Sequence, residues 1–136
     1  MTMKKLTILC VDDDSDDLLL LNETLSDTHK DFEVVEAHNG RQALDLLQKL
    51  KNSGKHPSLI ILDINMPVLN GKETLSIIKT DEAFKSIPVV VFTTSGSESD
   101  KSFCNLHGVE MVTKPPSFNT FKTVVHKLLN SVMPDS

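Results

Sequence analysis

The sequence predicts an α/β domain, a parallel sheet with helices on both faces, and three observations carry that expectation. Five short apolar runs alternate with five helix-length segments. Two of the runs, "LIIL" (59–62) and "VVVF" (89–92), are continuous rather than alternating, as in strands covered on both faces. Polar residues gather just after the runs, where ligands sit in such sheets.

The elements follow in order. "LTILCV" (6–11) is the first strand. Residues 16–26, "DDLLLLNETLS", form a helix; Asp14 or Ser15 is placed to cap it, and Asp16 and Asp17 favour a helix start. "FEVVEA" (32–37) is a weaker strand. Residues 40–52 carry Ala43, Leu44, Leu47 and Leu50 at helical spacing. "NSGKHPS" (52–58) is a turn before the third strand. Residues 71–80 carry Leu75, Ile77 and Ile78. Residues 97–106 make the poorest helix, with Phe103, Cys104 and Leu106 apolar and Ser97 and Asp100 at capping-box spacing. "VEMV" (109–112) is the last strand. Residues 117–131 carry Phe118, Phe121, Val125, Leu128 and Leu129 as an apolar stripe.

Bulk properties narrow the class. The 136 residues fit a single domain, without repeats or a second core. Hydrophobic residues make up 39% and charged residues 24%, as expected of a soluble globular chain. The net charge is −5 and Arg41 is the lone arginine, which argues against nucleic acid as a partner. Cys10 and Cys104 stand in no disulfide or metal spacing and are expected to be reduced thiols, Cys10 in the core. Only six residues separate Lys5 from the first acids, too few for a signal-peptide core or a membrane span. The expectation is a cytoplasmic protein.

If the sheet forms, Asp12, Asp13 and Asp14 follow its first strand, Asp63 the third, Thr93, Thr94 and Ser95 the fourth, and Lys114, Pro115 and Pro116 the fifth. Converging carboxylates repel: two like charges about 4 Å apart cost roughly 4 kcal/mol at a surface-like dielectric. A cation is needed. Oxygen donors with no nearby Cys or His suit Mg²⁺, Mn²⁺ or Ca²⁺ rather than zinc. A carboxylate beside such a metal, with a hydroxyl and an ammonium at hand, is equipped to accept a phosphoryl group, with Asp63 as nucleophile. Asp14, Asp16 and Asp17 are assigned to the helix start. His29, His38, His56, His107 and His126 show no ligand spacing.

At these residues the chain resembles a known family. "ILCVDDD", "LIILDINMPVLNG", "PVVVFTTS" and "VTKPP" are similar to four motifs of the receiver domains of two-component response regulators, the CheY-like proteins. The resemblance runs from about Lys4 to Leu129. It implies a (βα)₅ flavodoxin-like doubly wound sheet with strand order 2-1-3-4-5. It makes Asp63 the phosphoacceptor, and Asp12 and Asp13 the acids that hold Mg²⁺ (or Mn²⁺), Asp13 directly. Asn65 lends the metal its backbone carbonyl, Thr93 bonds the phosphoryl group and Lys114 pairs with it. The Lys114–Pro115 bond is implied to be cis. Thr94, Ser95 and Ser97 read as loop and cap residues, with Ser95 also a candidate to flank the site and tune phosphoryl lifetime. Pro67 and Gly71 shape the loop that returns Asn65 over the site.

Two departures stand out. Met111 occupies a position where the family often has Tyr or Phe as a rotamer switch, and Pro116 follows Pro115 where many members carry a bulky apolar residue. The implied function is a stand-alone receiver (core about 4–131, no output domain) that catalyses only its own phosphorylation and dephosphorylation. Its donor is a histidine kinase or histidine phosphotransfer protein. It signals by protein–protein contact through the fourth helix, fifth strand and fifth helix, or by phosphorelay, with no nucleic acid and no membrane involved. The TTS and KPP stretches resemble those of single-domain receivers that pair with phytochrome-type or hybrid kinases. The alternatives are a degenerate receiver acting as a scaffold and a Mg²⁺-dependent aspartyl-phosphate phosphatase. The latter class wants an acid two residues after the nucleophile, where this chain has Asn65. A flavodoxin-like nucleotide binder is disfavoured because "DDDSDD", not a glycine-rich loop, follows the first strand.

Overall fold

Three central strands with apolar side chains on both faces organise the molecule. In this computed structural model, which describes residues 6–27, 32–66, 70–94 and 96–132, the strands are β1 (Leu6–Val11), β2 (Phe32–Ala37), β3 (Leu59–Leu62), β4 (Val89–Thr93) and β5 (Glu110–Thr113). The helices are α1 (Ser15–Ser26), α2 (Gly40–Asn52), α3 (Gly71–Thr80), α4 (Glu98–Leu106) and α5 (Phe118–Val132). All strand pairs are parallel and the order is β2-β1-β3-β4-β5. The expected bounds hold to within one residue.

Side chains alternate across the sheet with period two. Leu9, Val11, Ile60, Leu62, Val89 and Val91 enter one core with Ala43, Leu47, Leu75, Ile78 and Cys104 from α2, α3 and α4. Ile8, Cys10, Leu59, Ile61, Val90 and Phe92 enter the other with Leu18, Leu21, Leu25, Phe121 and Val125 from α1 and α5. Burial of both faces explains why β3 and β4 lack polar alternation. Phe92 and Phe121 meet edge to face, with ring centroids 5.2 Å apart. Cys10 and Cys104 are free and buried, and burial pushes the Cys10 thiol up to about 12, so it is inert core. The turn before β4 also contributes Phe84 and Ile87 to the first core, which helical periodicity did not flag.

Polar caps set where the helices start. Asp14 caps α1, accepting from the amides of Asp16 and Asp17; Asn39 caps α2, Asn70 caps α3 and Ser97 caps α4. As the sequence indicated, α4 is poorly anchored: its buried residues are Asp100 and Cys104, and Leu106 is 81% exposed. Polar contacts hold it instead. Lys72 of α3 pairs with Asp100 at 2.6 Å and lies over the Phe103 ring. No helix among the described residues is long and apolar enough to cross a membrane.

Gly71 is a packing residue. A Cβ there would lie 2.2 Å from Ile64 Cα and 2.3 Å from the Asp63 carbonyl oxygen. The helix start rests directly on the chain leaving β3, and the Gly71 amide donates to the Ile64 carbonyl. The close approach, rather than loop curvature, is what requires glycine. Pro67, the other residue expected to shape this loop, lies outside the described residues, as does Ser95. Gly71→Ala is expected to cost about 1–3 kcal/mol or more, the range of overpacking. A lower urea midpoint at unchanged m-value is the expected signature; an unchanged midpoint would refute the contact.

Candidate functional site

Each central strand ends in a residue that carries chemistry, and sheet hydrogen bonds run on past the strand to hold it. The Asp12 amide donates to the Ala37 carbonyl, the Asp63 amide to Val11 and the Lys114 amide to Thr93. The first residue past β1, β3 and β5 is therefore as fixed as the sheet itself.

Asp12 and Asp63 continue the parity of Cys10 and Ile61, the face covered by α1 and α5. Asp12 is 2% exposed and Asp63 6% exposed, while Asp13 faces solvent. These three carboxylates each offer an oxygen, all within 4.8 Å of one another. An all-oxygen set of this size, two members buried and one open to water, fits a hard divalent cation.

Lys114 reaches into the same space with its side chain 5% exposed. Its ammonium donates to Asp12 at 2.5 Å, to Asp17 at 2.8 Å and, more weakly, to Asp63 at 3.4 Å. From the sequence Asp17 reads as a helix-start charge. It sits in the first turn of α1, but its carboxylate turns to the lysine. Its spacing from Asp12, five residues, matches no ligand pattern; only the placement of α1 over the sheet edge reveals it.

The remaining expected residues fall around this centre. Asn65 donates its amide to Asp63 Oδ1 at 3.1 Å, and its side-chain nitrogen approaches Thr93 Oγ1 at 3.5 Å. Thr93 is fully buried. Met111, half-buried, pairs in register with Val91 and packs on the α4 side of the core, away from the acids. No peptide bond among the described residues is cis, so Lys114–Pro115 is trans where the resemblance implied cis. Trans is the ordinary preference of an X–Pro bond, by roughly 0.5–1 kcal/mol, and in this form the Lys114 ammonium already meets three acids.

Burial dominates the Asp12 carboxyl and pushes it up to about 6, against hydrogen bonds from Lys114 and the Asp14 amide. Burial acts to lower Lys114, but its bonds to Asp12 and Asp17 outweigh that, and it is held above its ordinary value. Both groups are charged at neutral pH.

Geometry and comparison agree on the class. Residues 8–126 match the response regulator receiver domain, and the chain belongs to that family, whose members act as phosphoacceptor switches. Among solved structures it is similar to the phosphorylated cyanobacterial phytochrome response regulator RcpA (31% identity, 93% of each chain, TM-score 0.88). It is likewise similar to the Mn²⁺-bound form of the response regulator Rcp1 (30% identity, 96% of each chain, TM-score 0.86). Rcp1 of Synechocystis sp. is 41% identical over 96 residues, 68% of this chain; the match spans 65% of Rcp1's own length. The probable methanogenesis regulatory protein FilR2 of Methanothrix harundinacea is 32% identical over 124 residues, 89% of this chain and 79% of that protein.

The raised Asp12 carboxyl has a consequence for metal-free protein. The folded state holds this proton up to about pH 6, the unfolded chain only to about 3.8. The associated stability is present below about pH 4 and is lost as pH rises through 6. Asp12→Asn is therefore expected to gain on wild type between pH 4 and 7 in urea unfolding with chelator present. A constant gap across that range would overturn the burial account.

Proposed function

We propose that Asp63 accepts a phosphoryl group from a histidine kinase or histidine phosphotransfer protein and that the chain signals through a changed protein surface. The observation that carries this reading is the meeting of Asp12, Asp13, Asp63 and Lys114 at the carboxyl edge of the sheet, with Thr93 one Asn65 contact away.

Asp12, Asp13, Asp63 and the Asn65 backbone carbonyl are the groups to hold Mg²⁺ or Mn²⁺; the Mn²⁺-bound state of Rcp1 supports this class of ion. When bound, the cation supplies positive charge beside the transferring oxygens. One Asp63 carboxylate oxygen attacks phosphorus, the bond to the donor's histidine breaks, and an acyl phosphate remains. Lys114 stays close to the oxygens that gain charge, and the Thr93 hydroxyl donates to one of them. Asn65 has no acid to offer, which disfavours a phosphatase acting on other substrates. The intact acids, Thr93 and Lys114 disfavour a scaffold that has lost its chemistry. A phytochrome-type kinase as donor is supported by the similarity to RcpA.

Output runs through α4, β5 and α5. Leu106 and Phe118 leave apolar surface there, 81% and 49% exposed. With acetyl phosphate and Mg²⁺, wild type is expected to gain one base-labile phosphoryl group by intact mass. Asp63→Asn is expected to gain none, and Asp13→Ala to lose the Mg²⁺-dependent labelling. Equal labelling of wild type and Asp63→Asn would sink the assignment.

The response is centred on α4. Elements with few buried contacts open most easily, and α4 relies on Lys72 for much of its hold. A bond from Thr93 to the phosphoryl group pulls on the chain leading into α4. Methionine is unbranched with soft torsions, so Met111 follows by degrees rather than by a ring flip. Hydrogen exchange with and without beryllofluoride is expected to change most in residues 94–107. Unchanged protection there at saturation would place the output surface elsewhere.

A further inference from the structure

Asp17 differs from the other acids at this edge. It lies outside the group whose oxygens converge on one point, yet it makes the second-shortest bond to Lys114, at 2.8 Å. Its backbone is rigidly set. The Asp17 amide donates to the capping carboxylate of Asp14, and the next residue, Leu18, is buried in the core beneath. Its side chain is 22% exposed, against 3% for Asp12 and 7% for Asp63. The lysine is thus shared between two acids needed for a cation and one that is not.

That sharing decides who repels whom. An ammonium lying wholly on Asp12 and Asp63 would oppose an arriving cation and neutralise its ligands. An acid beside the site but outside the cation's reach gives the ammonium another seat. The same acid then competes with phosphoryl oxygens for the lysine.

We propose that Asp17 is a positioning residue that shares Lys114 with the acidic site, easing cation binding while restraining the lysine's hold on the phosphoryl group. This rests on the phosphoacceptor reading of Asp63. It predicts that neutralising Asp17 moves affinity for cation and for phosphoryl group in opposite directions, whereas damage to local structure would weaken both.

Titration calorimetry tests it on the whole chain with Mg²⁺ alone and then with beryllofluoride at saturating Mg²⁺. Asp17→Asn is expected to weaken Mg²⁺ binding and tighten beryllofluoride binding, each by about three- to tenfold, the scale of one nearby charge at a partly screened site. Asp16→Asn removes the same charge from an exposed neighbour and is expected to shift either constant by less than about twofold. Asp17→Glu restores the charge and is expected to return both constants toward wild type. The inference is overturned if both constants weaken together in Asp17→Asn, if neither moves, or if Asp16→Asn reproduces the shifts. A wild type that binds Mg²⁺ but not beryllofluoride identifies a different failure, that of Asp63 as phosphoacceptor.

Discussion

One ammonium among three carboxylates is the constraint around which this molecule is arranged. Asp12, Asp17 and Asp63 come from a strand end, a helix start and another strand end, and Lys114 from a third strand end. Without the lysine the acids would repel at close range inside a poorly solvated edge. With it they are held, and Asp12 still pays for its burial in a raised carboxyl pKa. Such a site is poised: it tolerates its own charge and gains from a further cation.

The sheet makes that arrangement possible. Its two cores bury β1, β3 and β4 on both faces, so the strand ends have little freedom to retreat from one another. Ladder hydrogen bonds extend to the Asp12, Asp63 and Lys114 amides themselves. Gly71 lets α3 close directly on the Asp63 carbonyl, fixing the end of β3 from the other side. Rigidity at the edge contrasts with α4, which buries little and is held by Lys72 through an ion pair and a ring contact. The β1 side of Asp63 is thus firmly supported and the α4 side weakly so.

What the sequence by itself determined was the order of elements and the residues at their ends. Runs such as "LIIL" and "VVVF" are local patterns, and the acids, Thr93 and Lys114 follow them directly, so a parallel sheet placed them at one edge before any contact was known. The caps at Asp14 and Ser97 were equally local. Tertiary structure alone decided that Asp17 bonds Lys114, 97 residues away, because that depends on how α1 packs against β1 and α5. It alone decided that Gly71 answers to a 2.2 Å approach, that Lys72 reaches Asp100, and that Phe84 and Ile87 join the core from a turn. Periodicity records which face a residue takes within its own element. The distance between elements is set by packing, and a charge finds its partner only once that distance is closed.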